Sequence, residues 1–536
     1  MVSPKYSFKM ETLLLKLKHA GISIHVAGTQ LKVSIPEGSH YPNLINEIKE
    51  HKEALIDFIH HKNVTGVKTP PVLPAKQDKY ELFYQQKKEY LRYLLTGSYA
   101  FNLNLLVTFR KLDRAALFSA LEVLFERHES LRTTFFHRDG KMYQCIHPAS
   151  PIHGIVEELD ISKHKVKEDS AAEIWNASIS YAFNFNKELS IDLKLVKVLH
   201  DTHVLLAVMH HAISDDVSVK LLKDELLALY EAFVKKKPNP LAPPKWQYKD
   251  YAQWINELLR SEKAHNAKSY YFNKIKSSVE MEHHKTLDLI TKEKSYQQEL
   301  LEELERTPGY DEMPFKEELF GSIVRLYPPP GAVYVSYLPG VVVDKIIKLA
   351  VKHKTSLNMI MTAAFAAMLA IEGNSNVRFF MPCSTRLHEE FDAISGWLIS
   401  EIIVCIDVDL SVNFLALLKQ VEQIFFETMV HSFYPHEQLL NDLNLPLSVL
   451  APYFINFIPA HDEVVHDNTP VHIEEGSGHF NFRCVVFEFS NALKFTTHYN
   501  SSIYKPDDAE RMINTFIRII NRFVQEKAEL ELSSIR

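Results

Sequence analysis

The sequence predicts an α/β protein built from more than one domain. Strand and helix signals alternate in both halves of the chain, which is the pattern of α/β folds. The predicted strands are residues 103–109, 142–147, 189–199, 204–210, 333–337, 377–381, 402–408, 454–457 and 482–489, and the helices between them include 217–234 and 356–372. The 536 residues leave room for about three to four average domains. Hydrophobic residues make up 46% of the chain, which is ample for buried cores.

The first 62 residues form a small unit of their own in this prediction. Its elements are a helix at 10–20, a hairpin of strands 22–26 and 31–35, and a helix at 43–61. A hairpin in so small a unit leaves a free strand edge, which is a liability unless another segment pairs with it. Residues 63–74 contain three prolines and are predicted to be a semi-extended tether.

Composition excludes several classes of function. The net charge of −7 is spread along the chain, so nothing indicates binding to nucleic acid or to an anionic membrane. The four cysteines are scattered without CxxC spacing, which predicts reduced thiols and neither a zinc site nor a disulfide framework. The N-terminus has no apolar signal-peptide core, and no run of about 18 apolar residues occurs. We therefore expect a cytoplasmic enzyme without a bound metal.

One segment carries most of the chemical information. The apolar strand signal of residues 204–209 leads directly into His210 and His211, followed by Asp215 and Ser218 in the pattern HHxxxDxxS. Histidine is the side chain best matched to proton transfer near neutral pH. The alternative is that both histidines are buried in the core, make all their hydrogen bonds there and have no catalytic role. With 27 histidines in the chain, adjacent pairs are expected by chance. A second HHxxxD match lies at 283–288, but no strand signal precedes it, and we interpret it as solvated surface. A third pair, His60-His61, is not followed by the aspartate.

The HHxxxDxxS pattern resembles the catalytic signature of the condensation-domain superfamily of non-ribosomal peptide synthetases, and companion segments support the resemblance. Residues 127–135 (RHESLRTTF) match RHExLRTxF, 248–254 (YKDYAQW) match YxDYAxW, 431–437 resemble HQDxPFE with His436 replacing Phe, and 381–386 place Arg386 where the family has an arginine. These motifs occur in the family's order. The chain from residue 75 onward is identified as a member, with an N-terminal lobe at 75–245 and a C-terminal lobe at 246–536.

The resemblance implies a fold and a set of site residues. The family fold has two chloramphenicol-acetyltransferase-like lobes in a V-shaped pseudo-dimer, with a tunnel between them. The catalytic candidates are His211, which either accepts a proton from the attacking amine or orients that amine, together with His210 in a structural role and Asp215. Asp215 is expected to pair with Arg386, bridging to the second lobe and bracing the site. Two further supports are expected, Ser218 as the cap of a helix that begins near Val217, and Arg132.

The N-terminal order of helix, hairpin and helices resembles the tubulysin-synthetase-type docking domain. Such domains capture the C-terminal tail of an upstream protein by strand addition. The resemblance places the contact on Leu31, Lys32, Val33, Ser34 and Ile35, with Lys32 facing an acidic tail. The alternative is a helical cap packed permanently on the main body.

Several family motifs have changed. SxAQxRLW survives only as residues 75–80, IGxFVN has become 395–400, and the glycine after the motif aspartate is Asp216. These changes lie where family members contact substrate or the carrier arm, so the identity of the substrate does not carry over from typical members. An epimerisation domain would have an EGHGRE-like segment, and a heterocyclisation domain would have DxxxxD in place of the histidine pair. The chain has neither.

The missing motifs also constrain the reaction. Neither a GxSxG nucleophile motif nor a P-loop is present. The acyl donor is therefore expected to arrive as a thioester on the phosphopantetheine arm of a separate carrier protein, with no permanently bound cofactor. The sequence stops at Arg536 without an adenylation or carrier domain, which predicts a free-standing terminal domain that releases a peptide by joining it to a small amine. The alternatives are an internal condensation domain with a carrier-bound acceptor and a degenerate module that only recruits partners.

Overall fold

The computed structural model describes most of the chain. The described residues are 13, 17, 22–27, 30–35, 42–50, 52, 55, 79–96, 101–149, 151–163, 167–279, 302, 330–373, 375–443, 450, 452–459, 471–477, 480–525 and 531–535. The predicted tether at 63–74, the His60-His61 pair and the second HHxxxD match at 283–288 lie outside them. The chain divides into two compact units. The motif unit contains Lys68–Ser261 and Ser384–Ile399, and the large-sheet unit contains Met1–Val67, Glu262–Cys383 and Ser400–Arg536.

The N-terminal residues form the predicted hairpin. Strands β1 (Ser23–Ala27) and β2 (Gln30–Ser34) pair antiparallel, with Ile24 opposite Val33. Helix α1 (Pro42–Glu50) begins one residue before the predicted second helix and covers its first part. These elements share a small apolar cluster whose fully buried members are Leu13, Leu17, Ile22, Ile48 and Leu55. The spacing of Leu13 and Leu17 is that of one face of a helix, as the sequence predicted.

The motif unit is built on a four-stranded sheet in the order β4-β9-β8-β7 and a three-stranded sheet in the order β3-β6-β5. Its strands are β3 (Tyr80–Glu81), β4 (Asn102–Arg110), β5 (Thr133–Arg138), β6 (Lys141–Ile146), β7 (Val156–Asp160), β8 (Ile191–Lys197) and β9 (Thr202–His210). Its helices are α2 (Tyr84–Thr96), α3 (Arg114–Arg127), α4 (Lys167–Ile179), α5 (Asp216–Val234) and α6 (Tyr248–Leu259). Strand β9 pairs antiparallel with β4 on one side and β8 on the other, so both of its edges are hydrogen-bonded.

Helix α3 has a capped start and ends in a turn that leads into β5. Asp113 is the N-cap and accepts a hydrogen bond from the Ala116 N–H at 3.0 Å. The helix ends at Arg127, and His128 is buried, with its Nε2 2.6 Å from the carboxylate of Glu225. A short 3₁₀ turn, Glu129–Arg132, then leads into β5. The RHESLRTTF segment is thus a helix end, a turn and a strand start, as its pattern predicts.

The large-sheet unit contains a seven-stranded sheet in the order β12-β11-β13-β15-β16-β10-β14. Its strands are β10 (Pro330–Pro339), β11 (Asn376–Ser384), β12 (Ile399–Asp407), β13 (Tyr453–Pro459), β14 (Val471–Ser477), β15 (Phe482–Phe489) and β16 (Ala492–Asn500). Its helices are α7 (Glu262–Val279), α8 (Gly340–His353), α9 (Leu357–Ile371), α10 (Phe414–Met429), α11 (His436–Leu443) and α12 (Pro506–Val524). Helix α9 is buried from Met359 to Ala370 and forms the centre of this unit's core.

Among the described helices, none is by itself long and apolar enough to cross a membrane. Helices α8 and α9 meet the criterion only as a pair, and the chain bends by 100° between them.

The division of the chain differs from the predicted lobe boundary between residues 245 and 246. Helix α6 belongs to the motif unit, which extends to Ser261 and also takes in Ser384–Ile399. The cause is aromatic burial, since Tyr251 and Trp254 of α6 pack against Phe391 with ring centroids 5.4 and 5.0 Å apart. The Tyr251 hydroxyl also lies 2.5 Å from the hydroxyl of Thr385. These contacts tie α6 and residues 384–399 to the unit that carries the HHxxxD segment.

Candidate active site around His211

Strand β9 delivers two adjacent histidines into different surroundings. The strand ends at His210 because His211–Ile213 forms a 3₁₀ turn, in which the Ala212 N–H donates to Nδ1 of His210 at 3.0 Å. The backbone N–H of His211 donates to the carbonyl oxygen of Phe101 at 2.7 Å. His210 is only 2% exposed, whereas His211 is partly exposed. The strand end therefore buries one imidazole and presents the next one.

His210 is a neutral, buried histidine. Burial lowers its pKa to about 4, although the charge of Glu89 acts in the opposite direction. Because Nδ1 accepts a hydrogen bond, the proton of the neutral ring is on Nε2. The ring also meets the edge of Phe185, with centroids 4.6 Å apart. These contacts support the structural role expected for His210.

His211 keeps a ring nitrogen without a partner. Its Nδ1 is buried but makes no hydrogen bond anywhere in the described part of the chain. The imidazole lies against the indole of Trp397, with ring centroids 4.5 Å apart and planes inclined by 43°. The ammonium of Lys88 lies 5.8 Å from the centre of the same indole. A partly exposed imidazole with an unused nitrogen has the capacity to accept or donate a proton to a bound substrate.

Asp215 and Arg386 form the expected ion pair. The guanidinium is bidentate, with Nη1 2.7 Å from Oδ2 and Nη2 3.0 Å from Oδ1, and Oδ2 also accepts from the Leu398 N–H at 2.8 Å. Burial by itself would raise the pKa of Asp215, but Arg386 and the hydrogen bonds from Ser218 and Leu398 hold it below its ordinary value. The predicted ion pair is confirmed. Both residues belong to the motif unit, and the bridge between the two lobes of the family fold stays a prediction.

Ser218 has a different role from the one predicted. Helix α5 begins at Asp216 and its N-cap is Asp215, whose Oδ1 accepts from the Ser218 N–H at 2.8 Å. The expected capping by Ser218 is therefore wrong, because Ser218 already lies inside the first turn. Its hydroxyl lies 2.8 Å from the Gly396 carbonyl oxygen and accepts from the Gly396 N–H at 3.0 Å and from Arg386 at 2.9 Å. Ser218 thus fastens residues 394–398 to the start of α5.

The packing around this contact requires glycine at position 396. A Cβ atom at this position would lie 2.2 Å from the ring of Tyr248, which is itself fully buried. We expect Gly396→Ala to lower the free energy of unfolding by about 1–3 kcal/mol, the usual cost of overpacking a core. Urea denaturation measures the change. Gly154→Ala is the matched control, because a Cβ there meets nothing within 4 Å; equal effects of the two substitutions would show that Gly396 is not constrained.

Arg132 is not brought to the histidines. Its guanidinium donates to the carbonyl oxygens of Phe125 at 3.1 Å, Glu126 at 3.5 Å and His147. Arg132 therefore connects the end of α3 to the segment after β6. In the same motif, the Ser130 hydroxyl donates to the Ser395 hydroxyl at 3.1 Å. The motif therefore reaches the candidate site through Ser130, a residue that the sequence analysis did not single out.

A second segment offers a place for the SxAQxRLW motif, besides the predicted residues 75–80. Residues 75–78 lie outside the described residues, but Phe83–Tyr90 at the start of α2 place Gln86 and Tyr90 at the spacing of the motif's Gln and Trp, with Lys88 at its Arg. Gln86 is wholly buried, and its Oε1 accepts from the Phe83 N–H at 3.4 Å. The four-residue spacing of a glutamine and an aromatic ring was the signal that could have located the motif. In this alignment Glu89 replaces the motif's Leu.

The predicted docking residues lie along one strand of the hairpin. Leu31 packs against the N-terminal apolar cluster, whereas Lys32, Val33, Ser34 and Ile35 are exposed. Val33 and Ile35 are 37% and 40% exposed, which is high for aliphatic side chains. Within the described residues, β2 pairs only with β1. Their role in docking stays a prediction.

No group of three or more His, Cys, Asp or Glu side chains placed to hold a metal ion occurs in the described residues. Three of the four cysteines, Cys383, Cys405 and Cys484, are buried, and burial raises the pKa of each thiol to about 12.

Comparison with known proteins decides the family. Residues 76–305 and 333–534 match the family model described as the condensation domain. The chain belongs to this family. Residues 10–61 of this condensation protein match a second model, the TubC N-terminal docking domain. The enzymes of the family are acyltransferases of non-ribosomal peptide synthetases that form amide bonds, and they act on substrates carried by phosphopantetheine arms of carrier proteins.

The similar curated proteins are much longer synthetases. Gramicidin S synthase 2 from Aneurinibacillus migulanus is 24% identical over 473 residues, which is 86% of this chain but 10% of that protein. Surfactin synthase subunit 2 from Bacillus subtilis (strain 168) is 24% identical over 474 residues, covering 86% of this chain and 12% of that protein. The condensation protein therefore spans a small part of the length of these relatives.

Solved structures share the fold at low sequence identity. A structure that concerns condensation domain-mediated chain release from the enacyloxin polyketide synthase superposes with a TM-score of 0.62 at 16% identity, covering 98% of this chain and 99% of that one. The first condensation domain of the CDA synthetase superposes with a TM-score of 0.61 at 15% identity, covering 85% and 98%. These likenesses show the condensation-domain fold, with its two chloramphenicol-acetyltransferase-like lobes.

Proposed function

We propose that this chain forms an amide bond between an acyl group, held as a thioester on the phosphopantetheine arm of a carrier protein, and a free small amine. In this reaction the amine nitrogen bonds to the thioester carbon, the carbon–sulfur bond breaks, and the proton lost by the nitrogen is balanced by the proton that the leaving thiol gains. Because the acceptor is not tethered, the reaction releases the acyl chain. The observation that carries the proposal is His211, an imidazole presented by a rigid strand end with an unused ring nitrogen.

The protonation of the amine explains why the reaction needs a histidine. An alkylamine with a pKa near 10 is mostly protonated at pH 7, and only its neutral form attacks a carbonyl. His211 accepts a proton from the attacking nitrogen or orients that nitrogen, and both roles need a fixed imidazole. The turn that follows β9 supplies the rigidity, since Ala212 binds His210 and the Phe101 carbonyl binds the His211 N–H.

Two further observations bear on the alternatives. A module that only recruits partners has no use for a buried bidentate pair, whereas Asp215 and Arg386 are paired and hold the Leu398 backbone beside the indole that contacts His211. The solved structure concerned with chain release covers 98% of this chain, including its N-terminal region, which supports release over transfer to a carrier-bound acceptor. The second candidate, internal condensation, is supported by the synthetase relatives, of which this chain spans only a small part.

A direct assay separates these candidates. The purified protein is incubated with an acyl thioester of N-acetylcysteamine and either n-hexylamine or an aminoacyl carrier protein, and products are identified by mass spectrometry. We expect an amide with n-hexylamine. A product with the carrier-bound acceptor alone would contradict amine release and favour internal condensation. The absence of both products with a folded protein would favour a recruitment module.

We further propose that the exposed edge of β2 binds the C-terminal tail of an upstream carrier-bearing protein as an added strand. Strand addition takes its affinity from backbone hydrogen bonds and its specificity from side chains along the edge. Lys32, Val33 and Ile35 are exposed there, which suits an extended tail with acidic and apolar residues. The match of residues 10–61 to a docking-domain family supports this assignment.

Deleting residues 1–61 is expected to leave condensation of the N-acetylcysteamine thioester nearly unchanged and to slow reaction with the carrier-bound donor. The reason is mass action, because docking raises the effective carrier concentration without changing the chemistry. Steady-state rates with both donors measure the difference. Within the full chain, Lys32→Glu is expected to slow only the carrier-bound reaction, and Lys49→Glu, an exposed site on α1, serves as its control. Loss of activity on the small thioester after the deletion would instead indicate a structural cap.

A further inference from the structure

A buried carboxylate without a hydrogen bond lies on helix α2. Glu89 is 2% exposed, and neither of its carboxylate oxygens has a hydrogen-bond partner within the described residues. The guanidinium of Arg92 approaches it, with Nη2 3.7 Å from Oε1, which is longer than a hydrogen bond. Buried carboxylates are usually satisfied by several donors, because an unsatisfied one loses its hydration without replacement. Glu89 is thus paired in charge with Arg92, while both of its oxygens lack a hydrogen bond within the described residues.

Glu89 lies on the side of α2 that faces the His211 turn. The helix packs against the turn His211–Ile213. One turn before Glu89, the Gln85 side-chain amide donates to the Ile399 carbonyl oxygen at 2.9 Å. The preceding residue, Lys88, lies over the indole of Trp397, which itself contacts His211. Residues three and four apart share a helix face, so Gln85 and Lys88 orient this face toward the surroundings of His211.

The next turn of α2 points to the same place. The guanidinium of Arg92 lies over the ring of Phe101 at 4.3 Å, and the carbonyl oxygen of Phe101 accepts the His211 N–H. Glu89 is therefore bracketed, one turn on either side, by residues that touch the neighbours of His211. Its charge also acts on the adjacent His210. These contacts place the Glu89 carboxylate on the face of α2 that is nearest to the His211 turn.

We propose that Glu89 binds the ammonium group of the acceptor, so that the acceptor is a primary amine recognised in its cationic form and held with its nitrogen beside His211. An ammonium carries three N–H donors, and the two free oxygens of Glu89 accept from it. At pH 7 the amine arrives protonated, so a carboxylate that binds this form concentrates the abundant species. The bound ammonium then gives one proton to His211, which returns it to solvent, and the neutral nitrogen attacks the thioester carbon. The second proton that the nitrogen loses is the one that the leaving thiol gains. The inference rests on the proposed function for the identity of the acceptor. The leucine of the SxAQxRLW motif, which Glu89 replaces, has no oxygen for this contact.

Glu89→Gln tests the assignment, because glutamine keeps the shape and one acceptor oxygen but removes the charge. The KM for n-hexylamine is expected to rise by about 10- to 100-fold, the range for a hydrogen bond to a charged group. The kcat is not expected to fall and the KM for the acyl thioester changes little, since the contact stabilises the bound ammonium, which loses its proton before the nitrogen attacks. Glu89→Asp is expected to recover part of the affinity. Inhibition by 1-hexanol, a neutral analogue, is expected to be equal in both proteins.

Thermal stability distinguishes this role from a structural one. Because the contact of Glu89 with Arg92 at 3.7 Å is longer than a hydrogen bond, Glu89→Gln is expected to lower the melting temperature less than a substitution that breaks a hydrogen-bonded buried pair. Glu225→Gln is the matched control, because the Glu225 carboxylate is buried but bonded to Arg127 at 2.8 Å and His128 at 2.6 Å. That variant is expected to lose stability and to keep the KM for n-hexylamine. A Glu89→Gln protein with a lower melting temperature and an unchanged KM would overturn the proposal.

Failure of the proposed function gives a different result. If the wild-type protein uses only a carrier-bound aminoacyl acceptor, amine release is wrong. The KM for that acceptor is then compared between the wild-type and Glu89→Gln proteins, and this comparison still tests the role of Glu89. Isothermal titration calorimetry with n-hexylamine measures the binding without turnover. Equal dissociation constants for the wild-type and Glu89→Gln proteins would contradict the assignment whatever the reaction is.

Discussion

His211→Ala is expected to lower the rate of amide formation by about 10²- to 10⁴-fold, the usual contribution of a positioned acid or base. The substitution removes the only ring in the turn that is both partly exposed and in contact with Trp397, in the part of the chain that the structure describes. The fold is expected to remain intact, since the side chain of His211 makes no hydrogen bond that the turn needs and the turn is held by His210 and by the backbone. Single-turnover rates, with circular dichroism as the fold check, measure the effect.

The second HHxxxD segment supplies the control for this prediction. His284→Ala is expected to leave the rate unchanged, because the sequence before that pair carries no strand signal and the sequence after it is charged. Equal losses from the two substitutions would show that the choice between the two histidine pairs is wrong. If His211→Ala kept the full rate, His211 would be neither the base nor the group that orients the amine.

Asp215→Ala is expected to be the most destabilising single change in the candidate site. It leaves the guanidinium of Arg386 buried without its partner, and breaking a buried pair in this way costs about 3–5 kcal/mol of unfolding free energy. The same carboxylate caps α5 and accepts the Leu398 N–H, so the substitution also releases the segment that presents Trp397. Urea denaturation measures the stability, and loss of amide formation is expected to accompany it.

An exposed ion pair provides the comparison. Glu158→Gln removes the partner of Arg114, and both of those side chains are about half exposed. Solvent therefore screens the pair, and the loss of unfolding free energy is expected to be much smaller.

The stability that Asp215 contributes depends on pH with a definite sign. Because the folded pKa of Asp215 lies below its ordinary value, its contribution is present above that ordinary value and disappears as pH falls through the folded pKa. The gap between wild-type and Asp215→Ala stability is therefore expected to narrow on acidification. A gap that widens in acid would contradict the pairing.

Much of the local structure could be predicted because it depends on neighbouring residues. The apolar run before His210 predicted β9, and the strand signal in 482–489 predicted β15 with the same bounds. The Asp113 cap of α3 followed from a hydrogen bond that spans three residues. Strand β7 was not predicted, because Val156–Asp160 is short and contains three acidic residues. Its place at the sheet edge, paired only with β8 among the described strands, lets those side chains reach solvent.

The motif residues and the family followed from the sequence by itself, because residue types at fixed spacing are a property of the chain. The tertiary structure decided which residues surround them. Arg386 and Leu398 meet Asp215 across 171 and 183 residues, and Trp397 reaches His211 only because Ser384–Ile399 folds into the motif unit. The unsatisfied state of Glu89 is likewise invisible in the sequence. Whether a buried polar group finds a donor depends on every element packed around it, and no local pattern records that packing.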